Sequence, residues 1–375
     1  MKIVQVVPEV KTGSGVEAVA YHLEREWQAA GIDTARFTLV DAAGGWLPKP
    51  GPGLRGKLAI IARVVWFSTV GSVAAKRRWG QPAADTVVIC HNDALVGDVY
   101  VNHGIVAVAM RARGHGLLRL VRNPLHLFTS ARDAVRFAGS THRCVVNLTS
   151  REDADLRRTY RAFRPSTAVI GNGVDLERYT PSPEGRRMVR DELGIADHDV
   201  AGLFVGHEFG RKGLPAAIQA MTQLPDTFHL MVVGGTQDLI DRASERVSER
   251  GLTGRVHFVG AHSDPRPWFN AADVLVFPSI YESYGLVVTE ALASGLPVVA
   301  TPTGCVQDVV EEGVNGFVTT GEPQDVARAL AAFLRADRQS LRMAARASAE
   351  RLGWRNVAEQ YVELFQRVLK EREEA

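Results

Sequence analysis

Two glutamates, Glu282 and Glu290, lie in the segment of the chain whose residue types offer the clearest chemistry. Glu282 falls in a loop after a predicted buried strand. Glu290 falls in a helix that is expected to begin near Gly285 and is otherwise almost wholly apolar. A carboxylate in a buried helix must be paired or hydrogen-bonded, because an isolated buried charge is too costly. A diol such as a ribose offers two hydroxyl donors, and free amides at the helix start suit a phosphate or a hydroxyl-rich sugar. The structural alternative is that Glu290 caps a neighbouring loop and Glu282 is an exposed turn residue.

Arg211 and Lys212 follow another predicted strand, at the edge where the carboxyl ends of parallel strands are expected to form a crevice. Positioned cations stabilise the negative charge that develops on a leaving group where water is excluded. The pair therefore predicts an anion site, although adjacent basic residues also occur in ordinary solvated turns.

A short loop, Gly13, Ser14 and Gly15, separates the first predicted strand from a helix expected over residues 16–30. Such a loop lets backbone amides approach a phosphate, but the pattern lacks the full dinucleotide-binding fingerprint. His91 and His103 each follow a predicted strand in the same half of the chain, where strand ends face the crevice. A purely structural role is the alternative for either histidine.

Short apolar runs alternate with helix-length segments along most of the 375 residues. After about residue 200 the runs are β-rich and bounded by Gly or Pro, which is typical of parallel strands covered on both faces. We therefore predict an α/β fold with two doubly wound, Rossmann-like domains that face a central cleft. The predicted domains are residues 1–172 and 173–352, and a C-terminal helix over 353–375 is expected to pack back on the first domain.

Charge is divided unevenly between the two halves, although the net charge is only +2. Residues 1–172 hold 23 Lys+Arg against 13 Asp+Glu, whereas residues 173–375 hold 21 against 29. Within the first half, the acid-free stretches 42–84 and 99–132 interleave cations with apolar side chains. Such segments can lie on anionic membranes or bind phosphorylated acceptors. We expect this contact through residues 54–78 and 111–136. Core helices with solvated basic faces are the alternative, and no nucleic-acid recognition motif is present.

Cysteine usage and hydropathy bear on the compartment. The three cysteines, Cys90, Cys144 and Cys305, are widely spaced and imply neither a disulfide framework nor a zinc site. No apolar run is expected to approach the ~20 residues that span a bilayer. A cytoplasmic protein is predicted, peripheral on the inner face of the membrane where the basic segments attach.

The spacing of Glu282 and Glu290, with seven residues between them, resembles the signature of the family four retaining glycosyltransferases, which adopt the GT-B fold. Similar segments continue along most of the chain: the N-terminal glycine loop (12–17), the interdomain segment (169–179), the phosphate-binding loop (204–214), the base-binding strand (256–260) and the following loop (304–316). The Phe-Gly-Arg-Lys-Gly form of the phosphate-binding loop is most similar to glucosyltransferases of lipopolysaccharide core assembly.

The resemblance implies metal-independent transfer of a hexose, with retention of anomeric configuration, to a hydroxyl of a glycan, glycolipid or small-molecule acceptor. The implied donor is a nucleoside diphosphate sugar, with uridine as the expected base, and no cofactor is required beyond this co-substrate. Catalytic roles fall on Arg211, Lys212, Glu282 and His103, because His103 matches the family's cleft histidine better than His91 does. Donor contacts fall on Gly13, Ser14, Gly15, Gly206, His207, Val259, Gly260, Ser283, Tyr284, Gly285, Leu286 and Glu290.

Two positions depart from the family's pattern. His207 stands where arginine is usual, and Cys305 replaces a residue that the family prefers. These departures keep open a catalytically silent protein that only binds sugar nucleotides. A sugar-nucleotide epimerase on the same architecture is the other alternative, and it would convert a donor without any acceptor.

Overall fold

The computed structural model describes residues 1–13, 15–51, 53–112 and 124–374. The chain divides into two compact units. The first unit comprises Met1–Gly173 together with Trp354–Ala375, and the second comprises Val174–Gly353. Ser14 and residues 113–123, which belong to the predicted glycine loop and the second basic segment, lie outside the described residues.

The first unit is built on a six-stranded parallel sheet in the order β2-β1-β3-β4-β5-β6. Its strands are β1 (Lys2–Val6), β2 (Asp33–Phe37), β3 (Thr86–His91), β4 (Val99–Asn102), β5 (Cys144–Asn147) and β6 (Ser166–Val169). Its helices are α1 (Val16–Ala29), α2 (Gly53–Trp66), a π-helical turn (Phe67–Gly71), α3 (Ser72–Trp79), α4 (Val106–Ala112), α5 (Pro124–Ala138), α6 (Ser150–Thr159) and the C-terminal helix α16 (Trp354–Glu373). Strands β3, β4 and β5 are buried along their whole length, as the apolar sequence requires.

The C-terminal helix α16 packs on α1 of this unit. The indole nitrogen of Trp27 donates to the carbonyl oxygen of Ala358 at 3.1 Å, and its ring lies 5.6 Å from that of Phe365. Apolar residues of α16 at helical spacing, including Tyr361 and Leu364, are buried. The predicted return of the last helix to the first half is confirmed.

The second unit carries another six-stranded parallel sheet, in the order β12-β11-β10-β7-β8-β9. Its strands are β7 (Val200–Val205), β8 (Phe228–Val233), β9 (Val256–Gly260), β10 (Val274–Phe277), β11 (Val298–Ala300) and β12 (Gly316–Val318). Its helices are α7 (Pro183–Leu193), α8 (Phe209–Lys212), α9 (Leu214–Met221), α10 (Gln237–Glu249), α11 (Arg266–Ala271), α12 (Leu286–Ala293), α13 (Val306–Val309), α14 (Pro323–Arg335) and α15 (Arg338–Glu350).

Both sheets contain a point at which the order of the strands reverses. In the first unit it lies between β1 and β3, and in the second between β7 and β10. Open α/β sheets bind ligands beyond the carboxyl ends of the strands that flank such a point. The predicted fold class, two doubly wound α/β domains, is confirmed, and each sheet defines one place to look for a site.

One sequence-based expectation about hydropathy is wrong. The stretch Gly53–Trp79, which joins α2, the π-helical turn and α3, is long and apolar enough by length and composition to cross a bilayer. Only 28% of its most apolar 18-residue segment is buried. Core helices of soluble proteins can have the same length and composition, so these two properties alone do not identify a membrane span. The expectation failed because Arg63 interrupts the apolar run without breaking the helix.

Candidate functional site

Glu282 is the centre of a cluster of charged groups in the second unit. Its Oε1 atom lies 2.7 Å from Nζ of Lys212 and 3.2 Å from Nη1 of Arg211. The hydroxyl of Ser279 donates to the same oxygen at 2.6 Å. Only 8% of the Glu282 side chain is exposed, so these contacts form with little competition from water. Three residues singled out from the sequence are therefore in direct contact.

The cluster sits where the strand order of the second sheet reverses. Arg211 and Lys212 form the end of α8, which follows β7, and Glu282 lies in the loop after β10. The amide of Ile280 donates to the carbonyl oxygen of Arg211 at 2.9 Å and ties the two loops together. Gly213 permits this approach: its φ is +82°, and a Cβ there would lie 2.0 Å from the carbonyl oxygen of Pro278.

The two cations are held differently. Arg211 also donates from Nε to Glu208 and from Nη1 to the carbonyl oxygen of Tyr281, both at 2.6 Å. Lys212 places its ammonium 4.9 Å from the centre of the Phe277 ring. An ammonium has three donors, and Glu282 occupies one of them. Lys212 can therefore bind an anion while its pairing with Glu282 is kept.

Glu290 projects from α12, eight positions after Glu282, and is partly buried. The Tyr179 side chain hydrogen-bonds its carboxylate. Burial raises the pKa of Glu290 above its usual value, while Tyr179 and the nearby charges of Arg178 and Lys212 oppose that shift. A carboxylate in an apolar helix needs a partner, and Tyr179 provides one within the protein. The burial of Glu290 therefore does not by itself require a bound ligand.

The loop between the two glutamates packs against the backbone of Gly304 and Cys305. Gly285, with φ +88°, is the N-cap of α12, and no side chain caps the helix start. The amide of Cys305 donates to the carbonyl oxygen of Tyr284 at 2.7 Å. A Cβ on Gly304 would lie 2.1 Å from that same carbonyl oxygen. Cys305 is itself fully buried, so its departure from the family's pattern lies at a packing position beneath the loop.

His103 of the first unit is linked to His91, which the sequence ranked below it. Nε2 of His103 lies 3.2 Å from Nδ1 of His91, and Nε2 of His91 lies 3.1 Å from Oε1 of Gln5. Burial lowers the pKa of His103 to about 4, and it lowers the pKa of His91 well below the usual value. Both rings are therefore neutral at ordinary pH.

The remaining predicted residues lie at the ends of strands in one or the other unit. Gly206 and His207 follow β7, and Val259 and Gly260 end β9. The loop before α12 and its first residue carry Ser283, Tyr284, Gly285 and Leu286. Gly13 and Gly15 follow β1 of the first unit with φ +121° and +89°. Within the described residues, no group of three or more His, Cys, Asp or Glu side chains is arranged to hold a metal ion.

Sequence reasoning missed several polar residues that contact the predicted site residues or His91, among them Tyr179, Glu208, Ser279 and Gln5. Gln5 is fully buried in the apolar strand β1, and a buried amide in such a strand needs hydrogen-bond partners. That signal was available. Ser279 and Tyr179 carry no comparable signal, because their contacts depend on how separate segments of the chain come together.

Comparison with known proteins places the chain among glycosyltransferases. Residues 186–350 match the family model described as glycosyl transferases group 1. The D-inositol 3-phosphate glycosyltransferase of Streptomyces scabiei is 32% identical over 331 residues, which cover 83% of this chain and 68% of that relative. The chain belongs to the group 1 glycosyltransferase family.

A relative with the same printed name from Xylanimonas cellulosilytica is 34% identical over 240 residues, covering 61% of this chain and 58% of that protein. The match thus spans less than two thirds of the length of this relative.

Solved structures share the fold over nearly the whole chain. WaaG, a glycosyltransferase involved in lipopolysaccharide biosynthesis, superposes with a TM-score of 0.72 at 21% identity, over 96% of this chain and 99% of that one. HepE of Anabaena, solved in complex with UDP-glucose, gives a TM-score of 0.66 at 24% identity, over 98% and 99%. The predicted family and its GT-B fold are confirmed.

Proposed function

We propose that this protein is a retaining hexosyltransferase that moves a hexose from a nucleoside diphosphate sugar to an acceptor hydroxyl. The observation that carries the proposal is the contact of Glu282 with both Arg211 and Lys212 at the strand-order reversal of the second sheet. Ligands of doubly wound sheets bind at that position. Membership of the glycosyltransferase family supplies the reaction class.

The two cations are assigned to the diphosphate of the donor. Departure of a nucleoside diphosphate develops negative charge on its phosphate oxygens, and cations fixed beforehand stabilise that charge without reorganising. Glu208 and Tyr281 hold Arg211 in place, and the Phe277 ring and Glu282 hold Lys212. This assignment requires no metal ion and no cofactor beyond the donor itself.

The two glutamates are assigned to hydroxyl groups of the donor. The carboxylate form of Glu290 would accept from the ribose hydroxyls, with Tyr179 as its protein partner. Glu282 would accept from hydroxyls of the sugar, and its ion pairs hold its carboxylate in one orientation. The uncapped amides at the start of α12 suit the same hydroxyl-rich or phosphorylated group.

Retention is proposed to follow from the leaving group and not from a protein nucleophile. The leaving phosphate oxygen accepts the proton of the acceptor hydroxyl on the face from which it departs, while that hydroxyl bonds to the anomeric carbon. No side chain then forms a covalent bond to the sugar. The protein contributes charge stabilisation and orientation, which supply most of the rate enhancement in such a reaction.

Uridine is proposed as the base, and a phosphorylated small molecule, a glycan or a glycolipid as the acceptor. HepE, which shares the fold, was solved with UDP-glucose. The relatives named D-inositol 3-phosphate glycosyltransferase support a phosphorylated acceptor. The excess of basic residues in the first 172 positions is consistent with an anionic acceptor on that unit.

Contact with an anionic membrane is proposed for the helical stretch 53–79. Leu54, Leu58 and Val73 are exposed at 74%, 55% and 54%, and basic residues lie along the same stretch. Apolar side chains exposed between lysines and arginines are typical of helices that lie in the interface of a bilayer. The second predicted segment, 111–136, is only partly described, and Leu127 and Val135 are exposed within it.

The test of the reaction class is incubation of the purified protein with UDP-glucose and related sugar nucleotides, with and without acceptors such as inositol phosphates. A transferase releases nucleoside diphosphate in an acceptor-dependent way, and proton NMR of the product shows the anomeric configuration of the donor. Epimerisation without an acceptor would assign the protein to the alternative enzyme class. Tight donor binding with no turnover over a broad acceptor panel would identify a silent binding protein.

A further inference from the structure

A chain of hydrogen bonds crosses the first sheet at the point where its strand order reverses. Gln5 lies in β1, His91 ends β3, and His103 follows β4. Gln5 and His91 are fully buried, and His103 is partly exposed. The bonds run from the carbonyl oxygen of Ala20 to Nε2 of Gln5 at 3.0 Å, from Oε1 of Gln5 to Nε2 of His91, and from Nδ1 of His91 to Nε2 of His103.

The donor and the acceptor of each hydrogen bond in this series follow from the Ala20 carbonyl oxygen, where the series begins. A backbone carbonyl oxygen only accepts, so the amide nitrogen of Gln5 must face Ala20 and the amide oxygen must face His91. That oxygen also only accepts, so Nε2 of His91 carries the proton. The Nδ1 atom of neutral His91 is then a bare acceptor, and Nε2 of His103 must donate to it.

The second ring nitrogen of His103, Nδ1, is left as a hydrogen-bond acceptor. With its proton on Nε2, neutral His103 presents Nδ1 as a lone pair. Within the described part of the chain, no protein atom is bonded to that nitrogen. Burial lowers the pKa values of both histidines, so the neutral forms persist at ordinary pH.

The opposite arrangement is possible for two histidines alone, but Gln5 opposes it. If both protons moved to the Nδ1 atoms, the bare Nε2 of His91 would face Oε1 of Gln5 across 3.1 Å. Two buried acceptors would then be left without a donor, which disfavours that arrangement by roughly tenfold or more. Gln5 thus sets the direction, and His91 transmits it.

We propose that Gln5 and His91 are positioning residues that hold His103 in its Nε2-protonated tautomer, so that Nδ1 accepts a hydrogen bond from a substrate hydroxyl. The identity of the substrate rests on the proposed glycosyltransferase function, whereas the tautomer rests on the hydrogen-bond chain alone. An atom that only accepts distinguishes a hydroxyl from a hydrogen or a methyl group at the same position of the substrate. His103 therefore acts as a determinant of specificity and not as a general acid.

The tautomers are measured by long-range ¹H–¹⁵N correlation NMR of the histidine rings at neutral pH, with resonances assigned through His91→Phe and His103→Phe. The wild-type protein is expected to show both rings protonated on Nε2. Gln5→Met, which has a similar shape but no acceptor, is expected to give His103 a large population protonated on Nδ1. Thr86→Val removes a buried hydroxyl at the far end of β3 and should leave both tautomers unchanged.

A wild-type His103 protonated on Nδ1 would overturn the proposal, and so would a Gln5→Met variant whose tautomers match those of the wild type. Neither result depends on turnover. If no sugar nucleotide is consumed by the wild type, the proposed function fails while the NMR result still decides the hydrogen-bond chain.

Kinetics with monodeoxy analogues test the hydroxyl contact. The wild type is expected to lose about tenfold or more in kcat/KM with one analogue of UDP-glucose or of the acceptor, since an unpaired acceptor is then left in the site. Gln5→Met should discriminate less against that same analogue, and Thr86→Val should discriminate as the wild type does. Equal discrimination by Gln5→Met and wild type, or none by the wild type on either substrate, would contradict the proposed role of Nδ1.

Discussion

The ammonium nitrogen of Lys212 lies 2.7 Å from Oε1 of Glu282, an oxygen that Arg211 also contacts at 3.2 Å. One carboxylate therefore aligns two cations that come from a different strand end. Such a pairing keeps the cations in place before any ligand arrives, and an entering diphosphate can share them. The proposed donor site is in this sense organised in advance.

Replacing Lys212 with methionine should reduce kcat/KM for donor consumption by about 10²–10³-fold, because one fixed cation is lost from the leaving diphosphate. Steady-state rates of nucleoside diphosphate release provide the measurement. Lys370→Met, which removes an exposed lysine on α16, is the matched control and should retain wild-type rates. Equal rates for the two variants would show that Lys212 does not contact the donor.

Glu290→Gln should weaken donor binding by about tenfold or more and yet stabilise the fold near neutral pH. The raised pKa of Glu290 means that the folded protein binds its proton more tightly than the unfolded chain does. The free energy of unfolding of the wild type therefore falls as pH rises from the usual carboxyl pKa through the raised one. Glutamine does not titrate, so the variant does not lose stability in this way as pH rises. Donor binding weakens because a hydroxyl forms a stronger hydrogen bond with a charged carboxylate than with a neutral amide.

The measurements for Glu290→Gln are the donor dissociation constant and the denaturation midpoint between pH 4 and 8. The stability difference from the wild type should grow with pH across that range. Glu245→Gln, at an exposed position of α10, should change neither quantity. Wild-type donor affinity in Glu290→Gln would refute the assignment of Glu290 to the donor. A variant less stable than the wild type at pH 8 would refute the destabilising effect of its buried charge.

Tyr179→Phe should raise the pKa of Glu290 further, because it removes the hydroxyl whose hydrogen bond to Glu290 opposes the effect of burial. Donor binding by the ionised carboxylate is lost as pH falls through that pKa, so the acidic limb of the binding profile should move to higher pH. Donor affinity measured from pH 5 to 8 tests this shift. An unchanged limb would mean that Glu290 does not control it.

Gly304→Ala should destabilise the protein more than Gly194→Ala does. Both glycines have positive φ, +56° and +67°, so both variants carry the strain of about 1–2 kcal/mol that a side chain meets there. Only Gly304 also lies against backbone, because a Cβ would be 2.1 Å from the carbonyl oxygen of Tyr284, whereas Gly194 has nothing within 4 Å. Chemical denaturation gives both values. Equal losses would show that the contact with the Tyr284 loop relaxes freely.

Anionic vesicles should carry the protein upward in a flotation gradient at low salt and much less so at high salt. Combined Leu54→Glu and Leu58→Glu should reduce the floated fraction by about tenfold, because two exposed apolar side chains become charged. Met188→Glu, which alters an equally exposed apolar position of the second unit, should float as the wild type does. Absence of flotation at low salt would exclude the proposed membrane contact and leave a soluble acceptor as the remaining proposal.

The sequence predicted the sheets well because parallel strands buried on both faces are nearly continuous apolar runs, as in β3 and β10. It also predicted that Arg211 and Glu282 would face one site, since both follow strands that flank a reversal of strand order. It did not predict that Ser279 donates to Glu282 or that Tyr179 bonds Glu290. Those contacts depend on the path of loops, which local residue patterns do not determine.

The histidines show the same limit in another form. Their placement at the end of β3 and after β4 was predictable from the chain order, whereas only the family resemblance favoured His103 over His91. The register of the sheet brings Gln5, His91 and His103 into one hydrogen-bond chain. A pairing register is a property of two strands at once, so it cannot be read from either segment alone.

Calorimetric titration of UDP into the wild type and into Lys212→Met, with Lys370→Met as the reference, tests the proposed diphosphate site. Wild type and Lys370→Met should bind UDP with the same affinity, and Lys212→Met should bind it at least about tenfold more weakly. Equal affinity in all three proteins, or no binding of UDP by the wild type, would contradict a uridine diphosphate site at Glu282 and Lys212.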